Sequence, residues 1–227
     1  MIVITFAVPQ ESRALVATLH HSSPAPPPDG GSCVVGNIGR EEVLIFHTGI
    51  GCAAVAKTLP PLLARVRPSW LLSAGFAGAL DPSLEVGQLL AEESLSAPAL
   101  LARVPADVRR ARIATEDVPA ANADEKRAVR ERTGAAAVDM ESREVAAACT
   151  AARVPLLILR VISDDAKTTL PLDFATTWDS ESQRPRIPAI IRSLANQPAG
   201  WLPFASFLRD LDVAASRLAE GIGTVVE

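Results

Sequence analysis

From Ile2 to Ser163, short apolar runs bounded by turn residues alternate with helical periodicities. Ile2, Val3, Ile4 and Phe6 predict a buried strand closed by Pro9, and Gln10 to His20 a helix with Leu15, Val16 and Leu19 on one face. The Pro/Gly/Ser-rich stretch Ser22 to Ser32 reads as a surface loop. Val43 to His47 is a strand ended by Gly49-Ile50-Gly51, and Cys52 to Val66 an Ala-rich helix. Trp70 to Ala74 is a strand ending in Gly75-Phe76-Ala77-Gly78, and Gly87 to Ala91 a short one. Ala123 to Arg132 predicts a charged helix, Ala135 to Val138 a small-residue strand, Glu141 to Arg153 a helix and Pro155 to Ser163 a fully buried strand. Strands alternating with helices imply α/β layering around a mostly parallel sheet. The tail differs. Ile187 to Leu194 and Leu202 to Leu218 are amphipathic, and Trp201, Phe204, Phe207, Leu208, Leu211 and Leu218 form an apolar stripe expected to pack on the domain. The expected organisation is an α/β domain over residues 1–196 with a helical extension over 197–227.

Composition narrows the function. The chain has 227 residues, 48% of them hydrophobic, enough for a large core without disulfide or metal staples. Lys plus Arg number 22 against 26 Asp plus Glu, a net charge of −4, where a nucleic-acid binder usually carries a basic surplus. Tyr is absent and aromatics make up 4%, which leaves little for stacking on single strands. Cys33, Cys52 and Cys149 are widely spaced and form no metal pattern, and reduced thiols suit a cytoplasmic protein. No apolar run reaches the ~18 residues of a membrane span.

Ligands in α/β sheets collect at the carboxyl ends of strands. Glu11 follows the first strand, Thr48-Gly49-Ile50-Gly51 the Val43 to His47 strand, Gly75-Phe76-Ala77-Gly78 the Trp70 to Ala74 strand, Asp139-Met140-Glu141 the Ala135 to Val138 strand and Ser163-Asp164-Asp165 the last. Three carboxylate clusters and two glycine turns thus converge on one edge. Singly each has a plain structural reading: Glu141 as a charge at a helix start, Asp164 as an N-cap. Gly49-x-Gly51 lacks the third glycine of a dinucleotide fingerprint, since Ala54 stands there. The basic run of Arg109, Arg110, Arg112, Lys126, Arg127, Arg130 and Arg132, interleaved with acids, reads as a solvated helix face, and His47 as a satisfied core histidine.

Together these segments resemble the purine nucleoside phosphorylase / methylthioadenosine–S-adenosylhomocysteine nucleosidase superfamily. The matching stretches are Ala7-Val8-Pro9-Gln10-Glu11, Thr48 to Gly51, Ser73 to Leu80, Glu85-Val86-Gly87, Ala137 to Ser142 and Val154 to Asp164. The resemblance implies a three-layer α/β/α fold with a mixed, mostly parallel sheet, no metal or cofactor, and a homodimer. It implies cleavage of the N-ribosidic bond of a purine nucleoside, with adenine as base and a modified 5′ group. Val138 to Ser142, Leu170-Pro171, Arg184-Pro185 and the helical tail look most like the hopanoid-associated branch, thought to act on adenosylhopane.

The reaction passes through an oxocarbenium-like sugar, so the leaving base needs a proton, the ribose a grip and the opposite face a nucleophile. By resemblance, Asp164 supplies the proton at purine N7, supported by Ser163. Glu141 accepts the ribose hydroxyls with Met140 and Asp139 beside it, and Glu11 activates a water. Ala77, Gly78, Phe76, Ile50, Gly51 and Val118 surround base and sugar. Glu11, Glu141 and Asp164 should therefore line one cavity wide enough for a nucleoside; any of the three on another side of the molecule, turned to bulk solvent or locked in an unrelated ion pair would leave the proposed cleavage without machinery. Phosphorylase branches carry an arginine before the glycines and a Gly-Asp-Pro-x-Arg turn after the first strand. This chain has Ser73-Ala74 and Val8-Pro9-Gln10-Glu11 there, which favours water over phosphate, with Arg13 and Arg40 as partial substitutes. The alternatives are phosphorolysis and a non-catalytic nucleoside-binding protein of the same fold.

Overall fold

A computed structural model describes residues 1–25, 33–170, 178–179, 184–185 and 201–227. Its centre is a ten-stranded mixed sheet in the order β2-β3-β4-β1-β5-β10-β6-β7, with β9 and β8 added at the far end of β5. β1 (Ile2–Phe6) runs parallel to β4 (Glu41–His47) and to β5 (Leu71–Ala79), and β5 runs parallel to β10 (Leu156–Asp164). All residues of β1 and β10 are buried, the pattern of strands covered on both faces. β6 (Leu89–Glu92) is antiparallel to β10, and β7 (Arg109–Ala111) is parallel to β6. β9 (Ala137–Asp139) is antiparallel to β5 and parallel to β8 (Ile113–Thr115). Apart stand the two-residue strands β11 (Trp178–Asp179) and β12 (Arg184–Pro185).

Helices cover both faces. On one, α1 (Pro9–Thr18) and the long α6 (Trp201–Val226) enclose a core with Ile2, Ile4, Leu72, Leu157 and Leu159. On the other, α2 (Cys52–Val66) and α5 (Ser142–Ala152) pack Val55, Leu59, Leu62, Val145 and Cys149 against Val3, Leu71 and Ile158. Each fully buried Leu or Ile contributes about 1.5–3 kcal/mol. α3 (Pro98–Leu101) is a single turn, and α4 (Ala123–Thr133) is capped by the Asn122 side chain and ended by Gly134. Among the described residues no helix is long and apolar enough to cross a membrane.

Several expectations change. Residues 22–25 of the expected loop belong to strand β2 (His20–Ala25), which pairs only with β3 (Cys33–Ile38) and remains exposed at the sheet edge. Pro24 is tolerated on such an edge. β3, where Gly36 and Asn37 interrupt the run Val34, Val35 and Ile38, was not anticipated. β5 does not stop at Ala74 but continues through the glycines to Ala79, because β10 and β9 supply partners along its length. Arg109 and Arg110 lie on a strand, not a helix face. The tail helix runs on to Val226, and its buried anchors are Ala214, Leu218, Ile222, Val225 and Val226, whereas Leu208 is 46% exposed. The helix expected at Ile187 to Leu194 and the boundary at 196/197 lie outside the described residues.

Candidate active site

The carboxyl ends of β1, β4, β5 and β10 meet, and the loops leaving them carry polar side chains inward. Glu11 sits in the first turn of α1, immediately after β1. Its Oε2 accepts from the backbone N–H groups of Ala7 (2.8 Å) and Val8 (3.1 Å), and its Oε1 from that of Phe76 (2.8 Å). Burial raises the Glu11 pKa, and those N–H groups and the Arg160 charge oppose the rise. Glu11 can approach β5 this closely because residue 75 is glycine: a Cβ there would lie 2.9 Å from Oε1.

Glu141 stands at the start of α5 but caps nothing. Its Oε1 accepts from the Gly51 N–H at 2.7 Å. Gly51, with φ +86°, presents that N–H from a backbone conformation open essentially to glycine alone. The Glu141 pKa is pushed up to about 8, first by burial and then by the charges of Asp139 and Glu11. Glu11 and Glu141 line one small cavity with Ser73, Thr48 and Arg160. Its volume is about 10 Å³, on the order of one water molecule.

The sequence reading gave Arg160 no role. It is 2% exposed in the middle of an otherwise apolar strand, and that misfit was the available signal. Its Nε bonds Asp139 Oδ2 at 2.9 Å, and its other nitrogens reach the Ser73 carbonyl (2.9 Å), Ser73 Oγ (3.2 Å) and Ser142 Oγ (3.0 Å). Asp139, expected to face substrate, instead commits both oxygens to Arg160, Ser142 and Thr115. It holds Arg160 in place.

Asp164 ends β10 opposite Gly78 of β5. Its Oδ1 lies 2.7 Å from Ser163 Oγ, which is also 3.3 Å from the Ala77 carbonyl. Its Oδ2 accepts from the ammonium of Lys126, a contact no sequence signal announced. Lys126 is 1% exposed and so departs from the solvated face expected of α4. The expectation that Glu11, Glu141 and Asp164 line one cavity is met only for the first two: Asp164 is paired with Lys126 and is not among the residues lining the small cavity. Met140 lies half-buried against Gly51, and Ile50 flanks the same turn. Phe76 is half-buried and Ala77 buried, whereas Val118 is 71% exposed.

The expected phosphate substitutes are elsewhere. Arg13 pairs with Asp212 on the surface, and Arg40 is exposed. His47 is bonded to Ser12 Oγ at 2.8 Å. Cys33 and Cys149 are buried free thiols, Cys52 a half-buried one. Among the described residues no group of three or more His, Cys, Asp or Glu could hold a metal ion.

This layered fold, with buried carboxylates at the strand ends, defines a nucleoside phosphorylase-like α/β protein. The chain belongs to the Phosphorylase superfamily, whose sequence model matches residues 1–96 and 90–196. It is 27% identical over 177 residues to a 5'-methylthioadenosine/S-adenosylhomocysteine nucleosidase of Shewanella loihica, covering 62% of this chain and 76% of the relative. It is 28% identical over 167 residues to an aminodeoxyfutalosine nucleosidase of Campylobacter jejuni, covering 60% and 73%. In fold it is similar to the methylthioadenosine/S-adenosylhomocysteine nucleosidase of S. pneumoniae, with a TM-score of 0.75 at 20% identity over 99% of this chain and 97% of that one. The futalosine hydrolase of Helicobacter pylori superposes with a TM-score of 0.75 at 19% identity, covering 99% and 97%.

Proposed function

We propose that this protein hydrolyses the N-ribosidic bond of a purine nucleoside, with adenine as base and a modified 5′ group. The observation that carries the choice of water over phosphate is the cavity beside Glu11. At about 10 Å³ it is sized for one water. Its two carboxylates, Glu11 and Glu141, face a single arginine that Asp139 already neutralises. A phosphate dianion would meet two carboxyl groups and no free guanidinium.

The roles are those the resemblance implies, and the placement of Glu11 and Glu141 on one cavity supports them. Glu11, oriented by three N–H groups, takes a proton from the attacking water. Arg160 and Ser73 complete the ring around that water. Glu141 accepts hydrogen bonds from the ribose hydroxyls and stabilises positive charge as it builds on the sugar. Asp164, at the neighbouring strand end, delivers a proton to N7 so that the base leaves neutral. The nucleosidase names of the sequence relatives support the same reaction.

Adenine release tests the reading. Purified protein is incubated with methylthioadenosine, S-adenosylhomocysteine, adenosine and an adenine nucleoside bearing a long apolar 5′ group, with and without phosphate. Release independent of phosphate is expected, and strict dependence on phosphate would make the protein a phosphorylase. Nucleoside binding without release over hours would make it a binding protein. Preference for the apolar 5′ group would support the hopanoid-associated branch. The homodimer the resemblance implies is tested by light scattering.

A further inference from the structure

The basic run of α4 contains one cation that is not on the surface. Arg127 and Arg132, with side chains 64% and 60% exposed, pair with Asp124 and Glu116. Lys126 is among the largest fully buried side chains of the protein. Its ammonium has three hydrogens and three acceptors: Asp164 Oδ2, the Asp165 carbonyl at 2.5 Å and the Thr168 carbonyl at 3.3 Å. Burying an ammonium is costly even when it is paired, so its position against this particular carboxylate calls for an explanation.

An ammonium can only donate. While the contact stands, Oδ2 of Asp164 is an acceptor and carries no proton. Oδ1 faces the Ser163 hydroxyl, which has one hydrogen and two candidate acceptors, Asp164 Oδ1 and the Ala77 carbonyl. With that hydrogen on Oδ1, both carboxylate oxygens accept. With it turned to Ala77, the Ser163 oxygen is free to accept from a proton carried on Oδ1.

We propose that Lys126 is a positioning residue for the leaving-group acid. By holding Oδ2 it confines the transferable proton to Oδ1. By binding the carbonyls of Asp165 and Thr168 it fixes the chain leaving β10 against α4. The proposal rests on Asp164 being that acid. The proton passes from Oδ1 to N7 as the C1′–N9 bond breaks and its electron pair leaves with the base. The Ser163 hydroxyl then returns to Oδ1, Glu11 takes the proton lost by water, and a proton from solvent later recharges Asp164.

The test is a double-mutant cycle on adenine release from methylthioadenosine, using wild type, Lys126→Met, Asp164→Asn and the double variant. Lys126→Met is expected to lower kcat about 10- to 100-fold and to leave KM within about threefold. The double variant is expected to match Asp164→Asn within about threefold, because Lys126 acts through that carboxyl. Losses that multiply, or a change in KM alone, would overturn the proposal and leave Lys126 a packing residue. Circular dichroism checks folding. If Lys126→Met does not fold, Lys126→Arg, which keeps the cation, carries the test. Its kcat should stay within about tenfold of wild type, and a loss as deep as that of Asp164→Asn would overturn the proposal. A wild-type protein that releases adenine from no nucleoside is a separate failure, that of the hydrolase reading.

Discussion

Glu11 and Gly75 occupy adjoining space: the carboxylate of one lies where a side chain on the other would begin. The 2.9 Å between Oε1 and a Cβ on residue 75 is closer than real Cβ atoms come. Gly75→Ala must therefore push Glu11 away from the Phe76 N–H. We expect a loss of roughly 10²-fold or more in turnover, the scale of a misplaced base, with the helical signal in circular dichroism retained. Wild-type turnover in this variant would show that Glu11 does not act from its observed position.

Glu141 makes both activity and stability depend on pH. Its carboxyl, ordinarily near 4.5, is pushed up to about 8 in the folded protein. Between those values the native state holds a proton that the unfolded chain releases. The resulting stabilisation is complete below the unfolded value and is lost as pH rises through about 8, at about 1.4 kcal/mol per unit. Catalysis runs the other way, because an ionised Glu141 accepts both ribose hydroxyls and a protonated one does not. KM should fall as pH rises toward 8 while Tm falls with it. Glu141→Gln should flatten the Tm profile over this range. A steep profile in that variant would assign the dependence to Glu11, whose pKa is also raised.

The positions of Glu11, Glu141 and Asp164 were legible because each ends or follows a strand whose apolar run is unmistakable. The ion pairs behind them were not. Arg160 and Lys126 contact residues 21 and 38 positions away in the chain, and periodicity carries no information about such partners. Lys126 also lies within a charged heptad whose average character is that of a solvated surface, so its burial contradicts local composition. Strand β3 was missed for a related reason. Its partners β2 and β4 hold it in place, and Gly36 and Asn37 have little strand preference of their own. In the tail, large aromatic residues drew attention to the helix start; of the expected stripe Leu218 is buried, and Ala214 and Ile222, which the stripe did not include, complete the contact. Small residues let a helix approach a sheet closely, and hydrophobicity alone does not register that.

Asp139 supports Arg160, with both its oxygens committed to Arg160, Ser142 and Thr115. Asp139→Ala removes one half of a buried pair and leaves the guanidinium uncompensated, which costs about 3–5 kcal/mol. The denaturant midpoint should drop accordingly, and activity should fall through loss of folded protein. Asp164→Asn, near the strand end, should lose two or more orders of magnitude in turnover with a smaller shift in midpoint. If the two variants show the same pattern, the separation between a supporting and a reacting carboxylate is wrong.

Glu11→Gln separates the base from the structure it sits in. Oε2 of Glu11 accepts two backbone N–H groups and Oε1 accepts a third. A glutamine that keeps its oxygen on Ala7 and Val8 turns its amide N–H₂ toward the Phe76 N–H, donor against donor. That mismatch costs about 1–3 kcal/mol of stability, which thermal melting measures. The amide also cannot take a proton from water. Calorimetric titration with methylthioadenosine should still show binding, since Glu141 holds the ribose, while adenine release falls about 10²- to 10⁴-fold. Release at the wild-type rate would remove Glu11 from the base role. Loss of binding together with release would mean that Glu11 serves to shape the cavity and that the water is activated from another residue of the ring.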